Sequence, residues 1–409
     1  MKWRNQLLAL FCLFVFFAVG VFYFRYWVVQ KPFGIILFVA EGLDLRTLAA
    51  ARVYAGSADK PLVIDSLSFT SVLKNYSQNS TVADAAAAAT ALATGAKVNN
   101  GAVALDPDGN ELATLLYLAH THRRMTGLVT NGSLTAPTAA SFYGHGLTSE
   151  NGCDFAAQLA GKANLDVVLG GGAADFYPAA DGGRRTDGRT LLTELATSGY
   201  EVVRTLQDLE EIPRWRRAKL FGLFSHSDLL FADEAEAGDD QPTLSDLVRR
   251  AIELLQFNRG GYLLVVDAAL VAKATDQNQT ERALGEAVEL DRAISVALDY
   301  AGTKTAVFVC GDMANGARSE AGPALPVPAR NNDVSAPANP RAKGELSEVE
   351  TPGPAPSDPP QQEPTPQESA SAPIAPMTDD VAFGTGPGAA VLHGVLENTA
   401  IFEIIRDNL

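Results

Sequence analysis

The chain has few basic residues, cysteines and histidines. The shortage of basic residues already argues against some classes of binding partner. Its 409 residues include 32 Lys and Arg against 48 Asp and Glu, which gives a net charge of −16 at pH 7. DNA, RNA and anionic lipid headgroups favour clustered basic side chains. We therefore do not expect nucleic acid as a partner.

Three cysteines leave little scope for disulfide chemistry. Cys12 lies inside a long apolar run, so Cys153 and Cys310 remain for the folded part. These two could form one disulfide, but Cys310 ends an apolar run, where a cysteine often serves as a small buried hydrophobe.

The long apolar run covers residues 7–24, close to the amino terminus. Lys2 and Arg4 precede it and Arg25 follows it. The run is long enough to cross a hydrocarbon core of about 30 Å. No small-residue cleavage site follows it, which favours a retained signal anchor over residues 1–30 rather than a cleaved signal peptide. The basic residues are nearly balanced on its two sides, so charge alone does not set its orientation.

From residue 34 onward, apolar strand-like runs alternate with helix-like periodic segments. The strand candidates are 34–40, 126–130, 166–169, 220–224, 262–266 and 305–310, and the helix candidates include 45–54, 243–257 and 281–300. This alternation is typical of an α/β fold with a doubly wound, mostly parallel sheet covered by helices on both faces. Ligands of such sheets bind beyond the carboxyl ends of strands, where Glu41, Asp267 and Asp312 stand.

Residues 317–377 differ in composition from the rest of the chain. They hold 14 of the 22 prolines and no aromatic residue. Such a segment cannot bury enough apolar surface to offset the entropy of ordering it. We expect a disordered insertion that interrupts one domain over 31–409. Its simplest role is that of a spacer.

The segment Thr81-Val-Ala-Asp-Ala-Ala-Ala-Ala-Ala-Thr-Ala-Leu-Ala-Thr-Gly95 resembles the stretch that carries the serine nucleophile in the alkaline phosphatase family. Other segments resemble that family in the same order, among them Ile36-Leu-Phe-Val-Ala-Glu-Gly42, Phe142-Tyr-Gly-His145 and Gly261-Tyr-Leu-Leu-Val-Val-Asp267. The resemblance spans about 33–409, apart from the insertion. It implies the same doubly wound fold and a main domain outside the cytoplasm.

The family's nucleophile and its phosphate-binding arginine are both missing. In the family an Asp-Ser-Ala opens the helix, whereas here Asp84 is followed by Ala85, which has no lone pair to attack phosphorus. The arginine falls near Ser149, and no arginine lies between Arg124 and Arg184. Bidentate capture of phosphate oxygens is therefore lost.

The threonines near Ala85 do not replace the missing nucleophile, and the histidines do not replace the family's metal ligands. Thr90 lies about 140° around the helix from Ala85 and points away from it, and Thr81 precedes the helix. The histidines do not fall on the family's metal positions; they are His120, His122, His145, His226 and His393. His145 and His393 match family patterns outside the metal centre, where a hydrogen-bonded structural role is expected.

The resemblance also implies where a magnesium ion would bind. Glu41 stands where the family has an Asp, and Asp267 stands where it has a Glu. Thr138 matches the family's threonine, but Ala136 replaces the Asp or His that completes the site. Three of the four oxygen-bearing positions are kept.

The two zinc sites of the family have changed further. Ala272 and Asp276 replace an Asp and a His, and the later Asp-His pair reads Asp312-Met313. The final zinc histidine aligns near Pro376. We therefore do not expect zinc. Any metal should be weakly held Mg²⁺ or Ca²⁺, and the residual candidate ligands are Glu41, Thr138, Asp267, Asp276 and Asp312.

These changes predict a membrane-anchored pseudoenzyme with a binding or structural role, whose partner is an unidentified small molecule or protein. One alternative is a metal-dependent phosphate or sulfate ester hydrolase with a rebuilt carboxylate site. Another is an interaction protein that acts through the insertion. In many alkaline phosphatases this part of the chain builds a surface subdomain near the dimer interface, so the family's dimer is in doubt here.

Overall fold

The computed structural model describes residues 2–23, 33–214, 219–235, 240–302, 304–311 and 379–409. The predicted insertion at 317–377 and the candidate ligand Asp312 lie outside these ranges. The predicted domain limits therefore stay predictions.

Ten strands of the described chain form one mixed sheet. They are β1 Gly34–Ala40, β2 Phe69–Lys74, β3 Met125–Ser133, β4 Val167–Gly171, β5 Tyr200–Val203, β6 Lys219–Leu223, β7 Tyr262–Ala268, β8 Thr305–Gly311, β9 Asp380–Thr385 and β10 His393–Glu397. Their order across the sheet is β10-β2-β9-β8-β1-β7-β3-β4-β6-β5. Neighbouring strands are parallel except that β9 runs antiparallel to β2 and to β8. The expected mostly parallel sheet is confirmed.

Helices cover both faces of this sheet. They are α2 Leu45–Ala55, α3 Ala85–Thr94, α4 Leu115–Thr121, α5 Pro137–Ala140, α6 Gly152–Gly161, α7 Leu191–Thr197, α8 Leu206–Glu211, α9 Ala232–Ala235, α10 Leu244–Leu255, α11 Leu270–Asp276, α12 Thr280–Ala301 and α13 Ala400–Asn408, after an amino-terminal α1 at Lys2–Tyr23. Successive residues of β1 point to opposite faces. Leu37 packs in the apolar cluster that contains residues of α3, α4 and α13, and Phe38 in the one that contains residues of α2, α10 and α12.

Strands with a polar or exposed face were not predicted from the sequence. In β2 three of the six residues are exposed, among them Thr70 and Lys74, and β10 begins with exposed residues from His393 to Val395. Apolar runs reveal strands that are buried on both faces, such as β1 and β7, all of whose residues are buried. The edge strand β10 and its neighbour β2 lack that pattern.

The amino-terminal helix α1 is long and apolar enough between Trp3 and Val21 to cross a membrane, judged by length and composition. A membrane anchor and a signal sequence both fit that description.

Candidate functional site

The carboxyl ends of β1, β7 and β3 bring three polar side chains together. In the sheet register Val39 of β1 lies beside Asp267 of β7, which lies beside Thr130 of β3. Glu41 follows β1, and its backbone amide donates to the carbonyl of Ala268 at 3.2 Å. Glu41 and Asp267 are therefore neighbours at the edge where ligands of parallel sheets bind.

Asp267 is fully buried and only half satisfied. The Thr130 hydroxyl donates to its Oδ2 at 2.8 Å, while Oδ1 has no hydrogen-bond partner among the described residues. Burial, reinforced by the negative charges of Glu41 and Asp228, raises the pKa of Asp267 well above its usual range. The folded protein thus favours either a proton or a cation at this place.

Thr138 supplies a second buried oxygen with no recorded partner. It lies in α5, which follows Ala136 and starts with Pro137, and its Oγ1 makes no hydrogen bond to the described part of the chain. Buried polar atoms are nearly always satisfied by protein, water or an ion. Ala136 has only a methyl group to offer at the start of this helix.

The nucleophile position lies at the first residue of α3. Asp84 caps that helix, since its carboxylate accepts from the amides of Ala87 at 2.8 Å and Gly101 at 2.6 Å. Ala85 follows as the first helical residue and is half-buried. Asp84 therefore holds backbone amides at the start of the helix, and Ala85 presents a methyl group.

The Thr90 side chain has a structural role in the core of the protein. It is fully buried, its hydroxyl donates to Ser141 Oγ at 3.3 Å, and it accepts from the amide of Ala104 at 3.0 Å. His145 has a structural role of the same kind. Its ring nitrogen Nε2 lies 3.0 Å from the carbonyl of Leu112, as expected for a histidine outside the metal centre.

Two positions of the family's zinc ligands lie within the described residues, at Ala272 and Asp276. Ala272 is buried in α11 and packs against Gly42, whose φ is +79°. A Cβ on residue 42 would lie 2.8 Å from Ala272 Cα, so the two backbones meet closely. Asp276 is exposed at the end of α11. Throughout the described ranges no three His, Cys, Asp or Glu side chains are grouped so that they could hold a metal ion.

An ion pair that the sequence did not reveal lies beside the buried carboxylate of Asp267. The ammonium of Lys273 pairs with Asp228, in the loop after β6, and the Asp228 charge acts on Asp267. Lys273 therefore neutralises Asp228. The two residues are 45 positions apart, and nothing in the local sequence pattern joins them.

Comparison with known proteins identifies the family. A sequence profile of alkaline phosphatase matches residues 34–333. The chain belongs to the alkaline phosphatase family.

Three relatives illustrate the degree of similarity. Alkaline phosphatase of Gadus morhua is 30% identical over 311 residues, which cover 65% of each protein. Alkaline phosphatase H of Pseudomonas aeruginosa is 31% identical over 334 residues and 70% of each protein. Alkaline phosphatase 3 of Bacillus subtilis is 29% identical over 66% of this chain and 57% of its own length. The chain thus spans between 57% and 70% of the length of these curated alkaline phosphatases.

Solved structures agree on the fold. The alkaline phosphatase of Thermus thermophilus gives a TM-score of 0.64 at 28% identity and covers 69% of this chain and 60% of its own. The enzyme from the Antarctic bacterium TAB5 gives a TM-score of 0.69 at 20% identity, over 93% of this chain and 98% of its own. At that identity the second match supports the fold alone.

Members of the alkaline phosphatase family use zinc and magnesium, and the residues of this chain fit the two metals differently. Zinc favours tetrahedral sets of nitrogen and sulfur ligands. At the zinc positions that fall within the described residues, the chain offers Ala272 and the exposed Asp276, which do not supply such a set. Magnesium favours oxygen. Glu41 and Asp267 bring oxygens to one strand edge, and Oδ1 of Asp267 has no partner in the described chain, so the chemistry of this pair suits a hard cation; Thr138 Oγ1 in α5 is a second unpartnered oxygen of the described chain.

Proposed function

We propose that this chain is a member of the alkaline phosphatase family that binds a ligand at the phosphatase site without hydrolysing it. The observation that carries the proposal is the methyl group of Ala85 at the first turn of α3, directly after the capping carboxylate of Asp84. The family's reaction begins when a hydroxyl at this place attacks phosphorus. A methyl group cannot take that step.

The Thr90 hydroxyl does not take over this role. The Thr90 hydroxyl is buried on the far side of α3 and engaged with Ala104 and Ser141. An attacking hydroxyl also needs a metal or a base to lower its pKa. The zinc positions at Ala272 and Met313 carry side chains that do not provide this.

A metal-dependent ester hydrolase with a rebuilt carboxylate site is the second candidate. It is favoured by the unpartnered oxygens of Asp267 and Thr138, which suit a hard cation such as Mg²⁺. Glu41 and Asp267 would hold the cation, which would supply the activation of water that ester hydrolysis without a serine requires. The two candidates differ in turnover, and both allow cation binding.

Stepwise restoration of the family's residues tests the proposal. We would assay the full chain in detergent with p-nitrophenyl phosphate, Zn²⁺ and Mg²⁺. The variants are Ala85→Ser, its matched control Ala85→Gly, and a combined variant that adds Ser149→Arg, Ala272→Asp, Asp276→His and Met313→His. We expect background rates for Ala85→Ser and Ala85→Gly, because the serine hydroxyl would have no zinc beside it. A rate that appears with Ala85→Ser alone would show that a functional metal site is retained, against the proposal.

We further infer that α1 anchors the domain to a membrane and that the domain lies outside the cytoplasm. The apolar length of α1 and the family resemblance support this inference. Alkaline carbonate extraction of membranes, followed by amino-terminal sequencing, tests it. A chain that stays in the membrane pellet with residues 7–24 intact supports a retained anchor, and loss of these residues would mean a cleaved signal peptide.

A further inference from the structure

The amino-terminal edge of the sheet carries a row of basic side chains. Strands β8, β1, β7, β3, β4 and β6 lie side by side in that order and run parallel, so their amino ends meet at one edge. Each of these strands except β1 has an exposed or partly exposed lysine or arginine at its first residue or shortly before it. We call this row the basic edge, and its members are Lys304, Arg259, Arg123, Lys162 and Lys219.

Close contacts hold the turns of the basic edge around Phe33, the residue that leads into β1. The amide of Phe33 donates to the carbonyl of Lys304 at 2.7 Å, and its carbonyl accepts from Arg124 Nη1 at 3.1 Å. The side-chain amide of Asn258 donates to the carbonyl of Arg123 at 3.0 Å. The chain therefore enters the sheet within the basic edge.

The clustering of basic residues follows from the fold. Helices α4, α6, α10 and α12 end in the turns before β3, β4, β7 and β8, so their carboxyl ends lie at this edge. The helix dipole favours cations at a carboxyl end. A chain with a net charge of −16 thus collects basic side chains on one side of its domain.

Carboxylates do not neutralise the basic edge. None of its members forms an ion pair within the described part of the chain, whereas Arg282, for example, pairs with Glu234 at 2.6 Å. Nearby acidic residues include Asp166, whose carboxylate accepts from the amide of Thr126 at 2.9 Å, and Asp299, which is exposed. Positive charge is therefore in excess at this edge.

Phe257 and Tyr300 add exposed aromatic side chains to the basic edge. Phe257 follows α10, two residues before Arg259, and is 54% exposed. Tyr300 lies in the last turn of α12, four residues before Lys304, and is 40% exposed. Basic and aromatic side chains together are typical of protein surfaces that lie on a bilayer, where the rings enter the headgroup region.

The connection to α1 reaches the domain at this same edge. Residues 24–32, which lie outside the described ranges, join Tyr23 of α1 to Phe33. A connection of this length spans at most about 35 Å, so Phe33 stays within that distance of the end of α1. The opposite edge, with Glu41 and Asp267, is farther away by the length of β1, about 20 Å.

We propose that the basic edge binds the headgroups of an anionic phospholipid bilayer, the one into which α1 inserts. This inference rests on the proposed membrane anchor and concerns a different face of the domain from the candidate site. Attraction between exposed basic side chains and anionic headgroups acts over about 10 Å at moderate salt, and the connection to α1 keeps the basic edge near the surface. The domain then directs Glu41 and Asp267 away from the bilayer, toward ligands in solution.

The test uses the full chain reconstituted into vesicles of phosphatidylcholine alone and of phosphatidylcholine mixed with phosphatidylglycerol. Vesicle flotation first measures whether the chain is anchored. A membrane-impermeant acylating reagent then labels the lysines, and mass spectrometry gives the labelling rate of each. Lys162 and Lys304 report on the basic edge. Lys74 is the reference, because its side chain is 51% exposed at the carboxyl end of β2, on the opposite edge of the sheet.

The test variant removes two guanidinium groups of the basic edge, Arg123→Gln with Arg259→Gln, and keeps both reporter lysines. The matched control is Arg46→Gln with Arg189→Gln. It removes the same charge from exposed side chains at the amino ends of α2 and α7, toward the opposite edge.

In vesicles that contain phosphatidylglycerol, we expect the labelling of Lys162 and Lys304 relative to Lys74 to fall about threefold or more below its value in phosphatidylcholine vesicles. High salt should restore the labelling, because it screens exposed charges. The variant with Arg123→Gln and Arg259→Gln should lose most of the protection, and the control variant should keep it.

Equal relative labelling in the two kinds of vesicle would overturn the proposal. Protection that survives in the Arg123→Gln, Arg259→Gln variant at the wild-type Tm would do the same. If that variant does not fold, the wild-type comparison with and without salt decides.

Flotation separates this proposal from the proposed anchor. A chain that does not float with phosphatidylcholine vesicles overturns the anchor. In that case, flotation with phosphatidylglycerol vesicles that depends on Arg123 and Arg259 would still support lipid binding by the basic edge, and absence of that flotation would overturn it.

Discussion

Thr130 donates a 2.8 Å hydrogen bond to one carboxylate oxygen of Asp267, whose other oxygen is buried and has no partner among the described residues. The Thr130 hydroxyl in turn accepts from the amide of Gly132 at 2.8 Å, which fixes its orientation. The carboxylate is therefore held in place with one oxygen left over. A carboxylate in this arrangement favours a bound cation, because an uncompensated buried charge destabilises the folded state.

The first prediction is that Mg²⁺ or Ca²⁺ stabilises the protein through Asp267. At about ten times its dissociation constant, the cation should raise the Tm by roughly 2 °C. Asp267→Asn should abolish the rise, because the amide lacks the charge that attracts the cation. Asp276→Asn is the matched control and should respond like the wild type, since Asp276 is exposed at the end of α11. Thermal unfolding with and without the cation measures this. An equal rise in Asp267→Asn would contradict the assignment.

The second prediction is that the purified chain contains no stoichiometric zinc. Two of the family's zinc-ligand positions carry Ala272 and Met313, and neither supplies the nitrogen or carboxylate ligand that zinc needs there. Elemental analysis after dialysis against a mild chelator measures the content. About one zinc per chain that survives this treatment would mean that a zinc site exists, and the hydrolase candidate would then be preferred.

The third prediction concerns the Thr90 hydroxyl, which we assign to structure. Thr90→Val keeps the volume but leaves the amide of Ala104 without its acceptor, so the free energy of unfolding should fall by about 1–3 kcal/mol. Thr90→Ser keeps the hydroxyl and should lose about 1 kcal/mol, from the methyl group alone. Urea unfolding of both variants measures this. The assignment fails if the valine variant is as stable as the wild type.

The fourth prediction is a pH dependence that arises at Glu286 in α12. This side chain is buried and accepts from the amide of Ala232 at 2.6 Å and from Asn131 at 3.4 Å. Burial raises its pKa from 4.5 to about 7. The folded state therefore keeps the proton at pH values where the unfolded chain has lost it. The contribution of Glu286 to the free energy of unfolding falls as the pH rises from 4.5 to about 7, and it is constant above that.

Glu286→Gln should remove this part of the pH dependence, because the amide does not titrate. Between pH 4.5 and 7 the wild type should lose up to about 3 kcal/mol more than the variant. The control is Glu281→Gln in the first turn of the same helix, which is exposed and should keep the wild-type slope. Urea unfolding at several pH values gives the slopes, and parallel slopes for Glu286→Gln and the wild type would refute the prediction.

Much of the fold could be predicted from apolar runs, because strands buried on both faces read as continuous hydrophobic segments. The pattern predicted β1 and β7, and hence that Glu41 and Asp267 lie at one edge of the sheet. The side-chain pairs of the site could not be predicted in this way. Lys273 pairs with Asp228, and the Thr135 hydroxyl donates to Asp175. Both contacts form because segments that are distant in sequence meet beyond the strand ends.

Asp276 shows the limit of matching positions to a family pattern. Its spacing from Ala272 places it where the family has a ligand, yet α11 ends there and its side chain is exposed. The interpretation of Asp312 stays a prediction, because that residue lies outside the described ranges.

The most direct test of the central claim is the turnover number of the purified full-length chain on p-nitrophenyl phosphate, with Zn²⁺ and Mg²⁺ supplied, at pH values from about 5 to 10. The proposed function predicts no rate above the buffer background at any of these pH values, since Ala85 offers no attacking oxygen. A rate that copurifies with the chain and disappears with Asp267→Asn or Asp312→Ala would contradict it.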